Sequence, residues 1–349
     1  MYDLIVIILE QIGIYGILYK IFDNLLDILI YGIVSIILIA ISSVCVLIIT
    51  YMERKELADF QIRLGPMETG GRRFHGILQP VADGIKLFLK EDIIPERVDK
   101  ILFILAPIIT FSSTFLMLAV IPFDKSIIPV DLGMGILFIS AISTICPLGV
   151  MMAGWASESK YALLSSLRAA AQMITYEIPI TLSLLSVVLI SGTLNLNEIV
   201  LQQNGTIMGI IPKWNIFLLP ISFIIFFIAS LAELGRTPFD LLEAESEIVS
   251  GYNIEYSGMR FAFFYLAEYL HLFIASAIAT VLFLGGWNGI LLPGIIWFFI
   301  KTFMIIYLII WIRATLPRVR IDQLMTLGWK VLIPLSLINI GIIGMVITL

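Results

Sequence analysis

The chain is poor in the residues that hold metals and redox centres. Among its 349 residues are only two cysteines, Cys45 and Cys146, and two histidines, His75 and His271. An iron–sulfur cluster usually requires four cysteines, and a membrane haem requires facing ligands, so we expect no metal or redox centre in this chain. The patterns G-x-G-x-x-G and G-x-x-x-x-G-K-[ST] are also absent, which excludes the two commonest nucleotide-binding loops.

Charged residues are scarce as well. They make up 13% of the chain against 60% hydrophobic residues, and the mean hydropathy is +1.05. This composition lies outside the range of soluble proteins and is typical of an integral membrane protein. We recognise no charged leader with a small-residue cleavage site and no Gly/Ser/Pro-rich linker, so we expect residues 1–349 to form a single transmembrane domain.

Charged residues divide the apolar sequence into eight candidate spans. A helix needs about 20 apolar residues to cross roughly 30 Å of hydrocarbon. The candidates cover residues 28–51, 101–123, 133–156, 164–192, 215–232, 260–284, 295–312 and 331–348. The sequence therefore predicts an all-α, polytopic membrane protein with about eight transmembrane helices plus amphipathic interfacial helices.

The distribution of Lys and Arg predicts the orientation. Of these 21 residues, 17 fall in the four segments 52–100, 155–168, 236–260 and 313–330. Cytoplasmic loops carry such an excess of positive charge. We therefore expect loops 52–100, 233–260 and 313–330 to be cytoplasmic and both termini to lie outside.

Two further segments are expected at the membrane interface. Residues 1–27 are apolar but contain Glu10 and Lys20, which favours an interfacial helix, with a ninth span as the alternative. In "HGILQPVADGIKLFLKED" an apolar stripe faces away from the charged residues, as in an interfacial amphipathic helix. The stripe comprises Ile77, Leu78, Val81, Ile85 and Phe88, and the charged face comprises Asp83, Lys86 and Lys90.

Three predicted spans contain ionisable residues, which are costly in hydrocarbon and commonly functional. Glu177 lies about 20 Å into the fourth span at 1.5 Å per residue, which favours a role in proton transfer over a purely structural hydrogen bond. We favour proton relay for Glu268 also. For His271, one turn later, relay and an interhelical hydrogen bond remain equally open. Lys301 either extends to the interface or pairs with an acid.

The stretch "LAELGRTPFDLLEAESEIVSG", residues 231–251, contains five carboxylates and one arginine just after the fifth span. Thr237 suits a helix N-cap, Pro238 the first helical position and Gly251 the end, so we expect a short helix. Asp240, Glu243 and Glu247 would share one face of it. That face could simply be solvated, but like charges at this spacing repel, which favours carboxylates that share protons.

Six stretches, in sequence order, resemble the H-subunit family of bacterial NADH:quinone oxidoreductase, or complex I. They are "ERKELADFQIRLGP", "GILQPVADGIKLFLKED", "GWASESKYALLSSLRAAAQMITYEIP", "AELGRTPFDLLEAESEIVSGYNIEYSG", "FFYLAEY" and "IRATLPRVRIDQLMTLGWK". The resemblance implies an enzyme subunit that forms part of the quinone-binding chamber and couples quinone reduction to proton translocation.

The same resemblance implies the surroundings of the subunit. It implies ubiquinone or menaquinone as substrate, and FMN and iron–sulfur clusters held by partner subunits. The partners would be the iron–sulfur and quinone-site subunits of the peripheral arm and other membrane-arm subunits, in the bilayer of a bacterial plasma membrane. We expect no nucleic acid partner.

The resemblance also implies roles for individual residues. An acidic funnel for protons would consist of Glu177, Glu233, Asp240, Glu243, Glu245 and Glu247, to which we add Glu268 from its position in a span. Quinone binding is expected at Arg54, Arg63, Arg236, Phe239 and Arg313, while Arg318 and Asp322 match a patch in the last cytoplasmic loop.

Two alternatives remain from the sequence. Ferredoxin- or hydrogenase-linked membrane complexes contain a related subunit with a similar helix plan and part of the acid pattern. An autonomous secondary transporter would also use intramembrane acids, but many transporter folds contain inverted repeats. The acidic loop after the fifth span has no counterpart after the first, which argues against a transporter.

Overall fold

The structure is a computed structural model that describes residues 14–70, 75–207, 211–241, 249–289 and 292–348. The chain divides into two units, residues 1–44 and 45–349. The first helix, α1 (Ile14–Phe60), contains residues of both units. All contacts described below lie within the second unit.

Helices account for most of the described chain. In order, they are α2 (Gln79–Leu89), α3 (Lys100–Leu118), α4 (Gly135–Ser143), α5 (Ile145–Ala156), α6 (Lys160–Ser191), α7 (Leu196–Gln202), α8 (Asn215–Leu218), α9 (Pro220–Glu233), α10 (Gly258–Phe283), α11 (Gly294–Thr315), α12 (Ile321–Thr326) and α13 (Ile333–Thr348). A 3₁₀ turn covers Gly251–Asn253, and a π-helical turn, Leu327–Leu332, joins α12 to α13. Two short strands, Thr206–Ile207 and Ile211–Pro212, pair antiparallel.

Seven helices of the described residues are long and apolar enough to cross a membrane, which confirms the predicted all-α, polytopic fold. Their bounds are Gly32–Phe60, Lys100–Leu118, Gly135–Ala156, Lys160–Ser191, Gly258–Phe283, Gly294–Thr315 and Ile321–Ile347. The predicted fifth span, 215–232, is divided between α8 and the 14-residue α9. The break falls where Pro220 occupies the first turn of α9, because proline starts a helix more readily than it continues one.

Helix α10 lies at the centre of the bundle. In its most apolar stretch 89% of the residues are buried, against 22–50% in the other six long helices. It packs against α3 and α11 and, over a shorter length, against α9. Small residues, among them Ala275, Ser276 and Ala279, allow the neighbouring backbones to approach closely. The acid and histidine of α10 therefore lie inside the protein.

Aromatic stacking fixes the start of α10 against α3. The rings of Phe103 and Tyr256 are parallel with centroids 4.0 Å apart, and Phe264 meets Tyr256 edge-on at 4.9 Å. The edge-on arrangement is favourable for aromatic quadrupoles. Burial raises the pKa of the Tyr256 hydroxyl, which lies in the link before α10. This stack holds the first turns of α10 in one orientation.

The links differ in length from the predicted loops. Helix α1 continues to Phe60, so the first nine residues of loop 52–100 are helical. The amphipathic helix of that loop is α2, with its apolar stripe exposed at Ile77, Ile85 and Phe88. Residues 321–330 of loop 313–330 are also helical. Of residues 1–27, the described part, 14–27, belongs to α1, and its interfacial position stays a prediction.

Candidate functional site

A tight turn after α9 aims the arginine of the acidic stretch into the protein. Gly235 adopts φ +63° and reverses the chain just beyond Glu233, the last residue of α9. The buried amide of Gln172 on α6 donates to two carbonyls of this turn, Ala232 O at 2.7 Å and Phe239 O at 2.8 Å. Val319 N donates to Pro238 O at 2.8 Å. We call residues 232–240 the arginine turn.

The arginine turn replaces the start of the predicted helix. Residues 237–239 form a turn and not the first turn of a helix, so Thr237 is not an N-cap and that prediction is wrong. The carbonyls that a helix would use internally accept instead from Gln172 and Val319. Glu243, Glu245 and Glu247 lie outside the described residues, so their shared face with Asp240 stays a prediction.

Two arginines and two acids form an ion cluster, which we call the arginine cluster. Its members are Arg236, Glu53 at the end of α1, Glu268 on α10 and Arg313 on α11. Arg236 Nη2 lies 2.8 Å from Glu268 Oε1, and Arg236 Nη1 lies 3.4 Å from Glu53 Oε1. Arg313 forms a close ion pair with the same oxygen of Glu53. Arg236 and Glu53 are each 5% exposed.

Electrostatics keep Arg236 charged. Burial lowers the pKa of its guanidinium, but the negative charges of Glu268 and Glu53 outweigh this effect and leave the pKa well above its ordinary value. The guanidinium also lies over the ring of Tyr269, 4.5 Å from the centroid, which is a favourable cation–π geometry. The Tyr265 hydroxyl donates to the Tyr269 hydroxyl at 3.1 Å.

Two cavities, both lined by acids, lie beyond the arginine cluster. The first, of about 50 Å³, is lined by Glu268, Glu233 and His271 together with Thr110, Cys146 and Tyr252. The second, of about 30 Å³, is lined by Glu233 and His271 and by the hydroxyl residues Ser140, Ser143, Thr181 and Ser230. A water molecule needs about 10–15 Å³ and two to four polar partners. Both cavities therefore have the size and polarity to hold water.

The second cavity leads to Glu177. Ser143 lines it, and its hydroxyl, which donates to Ser140 O at 2.9 Å, also lies 3.4 Å from Glu177 Oε1. Glu177 itself is half-buried on α6. Acids, hydroxyls and water-sized spaces thus follow one another from the arginine cluster to Glu177. Such an arrangement can hold and pass protons, because each member can accept or donate one.

Other predicted residues lie away from this series. Arg54 forms a 2.5 Å ion pair with Asp83 on α2, and the exposed Arg63 donates to Gln61 at 2.6 Å. Phe239 is buried 6.2 Å from the ring of Tyr176. Asp240 is half-buried at the end of the arginine turn. Asp322 is exposed and lies 3.9 Å from Arg320.

Lys301 lies at another loop and has a structural role. Its Nζ donates to three backbone carbonyls, Leu284 O at 2.7 Å, Gly286 O at 3.0 Å and Asn288 O at 2.7 Å. It also lies 4.4 Å from the centroid of the Trp214 ring. These contacts are with carbonyls and a ring and not with an acid, and the extension of Lys301 to the interface stays a prediction. Lys301 instead closes the loop that follows α10.

The sequence did not point to Glu53, Tyr269 or Gln172. One feature of the sequence could have indicated Glu53, which is an acid in the last turns of an apolar helix. This feature is hard to recognise because Glu53 is one of four consecutive charged residues, "ERKE". Within the part of the chain that the structure describes, no group of three or more His, Cys, Asp or Glu residues is placed to hold a metal ion.

The chain is similar to known proteins over most of its length. A family model described as NADH dehydrogenase matches residues 33–344. A protein of Bacillus cytotoxicus that is named as the H subunit of NADH-quinone oxidoreductase is 54% identical over 298 residues, covering 84% of this chain and 87% of that protein. Proteins of the same name from Geobacillus sp. and Bacillus mycoides are 52% and 53% identical over the same shares.

Proposed function

The chain belongs to the NADH dehydrogenase family and is a membrane subunit of an NADH-quinone oxidoreductase, and on this premise we propose that it couples quinone reduction to proton translocation. The observation that supports the proposal is the buried series from the arginine cluster through two acid-lined cavities to Glu177. Burying this many ionisable groups is costly, and in membranes such groups mark ion pathways.

We assign the quinone side of the proposal to the arginine cluster and its surroundings. The quinone-binding chamber would be bounded by Arg54, Arg63, Arg236, Phe239 and Arg313. Arg63 is exposed, and the side chains of Arg54 and Arg313 are 39% and 28% exposed, so these three could approach a quinone headgroup. Arg236 and Phe239 are buried and already engaged, so in this proposal they shape the wall. Asp240 and the three acids outside the described residues would hold protons beneath the headgroup.

The electron carriers belong, in this proposal, to other subunits. Two cysteines in the whole chain do not fit an iron–sulfur cluster, so FMN and the clusters would lie in peripheral-arm subunits docked on this one. Other membrane-arm subunits would continue the proton path from Glu177. We place the chain in a bacterial plasma membrane with its long charged loops cytoplasmic and its termini outside, following the Lys and Arg distribution.

The relatives favour this function over the two alternatives from the sequence. They carry the name of an NADH-quinone oxidoreductase subunit, which is neither a ferredoxin- nor hydrogenase-linked subunit nor an autonomous transporter. The match to the family model, over residues 33–344, covers the whole buried series from Glu53 to Arg313.

Replacing Glu177 with glutamine tests the proposal. The amide keeps the shape of the side chain but cannot bind and release a proton, so Glu177→Gln should lower quinone-linked proton pumping at least about tenfold, given the usual weight of acid–base groups. Pumping is measured in vesicles reconstituted with the complex, beside NADH oxidation by an artificial acceptor as a check of assembly.

Glu198→Gln is the matched control, because Glu198 is exposed on the short helix α7 and lines neither cavity. It should pump like the wild type. Wild-type pumping in an assembled Glu177→Gln complex would overturn the assignment of Glu177.

A further inference from the structure

One pair of side chains separates the two cavities. Of the described residues that line either space, Glu233 and His271 alone line both. Glu233 is the last residue of α9, and His271 lies in the middle of α10. Each side chain is 9% exposed. The pair therefore stands where a proton would cross from one cavity to the other.

The two side chains face each other across a narrow gap. His271 Nε2 lies 3.8 Å from Glu233 Oε1, which is longer than a hydrogen bond of about 2.7–3.2 Å. A shift of less than 1 Å, or one bridging water, would connect them. The pair can therefore exist in a connected and a disconnected form without rearrangement of either helix.

Each cavity also has hydroxyl residues in its lining, Thr110 and Tyr252 in the first and Ser140, Ser143, Thr181 and Ser230 in the second. None of these hydroxyl residues lines both spaces. Among the described residues, Glu233 and His271 are therefore the groups common to the two cavities that can transfer a proton.

We propose that His271 is a proton-relay residue that carries protons between the two cavities together with Glu233. This inference rests on the proposed function, and it adds one residue to the proton path. An imidazole has two ring nitrogens, one able to accept a proton while the other donates. The transfer forms an N–H bond at one ring nitrogen and breaks the N–H bond at the other. No oxidation state changes, and the ring returns to its neutral state.

The groups on either side give the relay a source and a destination. The first cavity contains Glu268, which is paired with Arg236, and the phenol of Tyr252. The second cavity is lined by Ser143, whose hydroxyl lies 3.4 Å from Glu177 Oε1. A proton leaving the region of Glu268 would thus pass through the first cavity, His271 and Glu233, and the second cavity, and arrive at Glu177.

His271→Gln and His271→Glu distinguish relay from packing. Both replacements are polar, but only glutamate can bind and release a proton. His271→Gln should lower coupled proton pumping at least about tenfold and increase the solvent deuterium isotope effect on turnover, because proton transfer becomes rate-limiting. His271→Glu should recover a large part of the pumping. Ser276→Ala is the control on the same helix, because the Ser276 hydroxyl donates within α10, to Leu272 O.

The complex is assayed in reconstituted vesicles for pumping, quinone reduction and artificial-acceptor oxidation. Wild-type pumping in His271→Gln, with Glu177→Gln impaired, would overturn the relay and leave the proposed function standing. Wild-type pumping in both variants would overturn both. Equal losses in His271→Gln and His271→Glu would show that His271 only fills space. If His271→Gln does not assemble, His271→Asn against His271→Glu makes the same comparison.

Discussion

Removing the Arg236 guanidinium should destabilise the protein more than any single exposed charge. Arg236→Met keeps most of the side-chain volume but leaves Glu268 buried without its ion-pair partner, whereas Glu53 retains Arg313. Removing one member of a buried ion pair typically costs about 3–5 kcal/mol. Loss of the cation–π contact with Tyr269 adds to this, since such contacts are worth about 0.5–2 kcal/mol. We therefore expect a loss of at least about 3 kcal/mol.

The measurement is the free energy of unfolding in mixed micelles titrated with a denaturing detergent, followed by circular dichroism. Arg320→Met is the matched control, because Arg320 is 82% exposed and pairs only loosely with Asp322 at 3.9 Å. An exposed pair of this kind contributes about 0–1 kcal/mol. If Arg236→Met cost no more than Arg320→Met, the arginine cluster would not be formed in the folded protein.

A double variant identifies the partner of Arg236. In Arg236→Met with Glu268→Gln no charge is left unpaired at Glu268, so much of the lost stability should return. Residues in one ion-pair network show interaction energies of about 0.5–3 kcal/mol in such a cycle. Costs that simply add would show that Glu268 is not the residue that Arg236 stabilises.

Two further predictions concern single residues in different parts of the chain. Asp240→Asn should lower quinone reductase activity severalfold while NADH oxidation by an artificial acceptor is unchanged, because Asp240 lies at the end of the turn that carries Arg236 to Glu268. Equal loss of both activities would indicate failed assembly. Lys301→Met should lower the free energy of unfolding by about 3 kcal/mol or more, because three carbonyls lose hydrogen bonds from a charged donor that are worth about 1.5–3 kcal/mol each. The KM for quinone should not change. A cost below about 1 kcal/mol would show that water replaces Lys301 at these carbonyls.

The membrane helices could be predicted because their signal is local. An apolar run bounded by charges specifies a helix of the right length whatever its neighbours, since backbone groups in a bilayer must bond within the segment. The prediction was inexact where a single proline decided the outcome, at Pro220, which divides the expected fifth span. It was also wrong at Thr237, where the amide of Gln172 competes with helix formation from another part of the chain.

The partners of the buried charges could not be predicted in the same way. Glu53 is 183 residues from Arg236 and 260 residues from Arg313, and no periodic pattern links positions so far apart. The sequence predicted that Asp240, Glu243 and Glu247 share protons, and this stays a prediction because Glu243 and Glu247 lie outside the described residues. It gave no partner for Glu268, which the structure pairs with Arg236, or for Glu233, which the structure places opposite His271. The types of the charged residues thus indicated a site, but their pairing depends on how the helices pack.

The arginine turn connects the two parts of the site. It begins next to Glu233, which faces His271, and three residues later it carries Arg236, which binds Glu268 and Glu53. The amide of Gln172 donates to carbonyls at both ends of the turn, Ala232 O and Phe239 O, and so ties the turn to α6. Because one short segment carries both Glu233 and Arg236, the ion pairs of the arginine cluster and the position of Glu233 opposite His271 depend on the same turn.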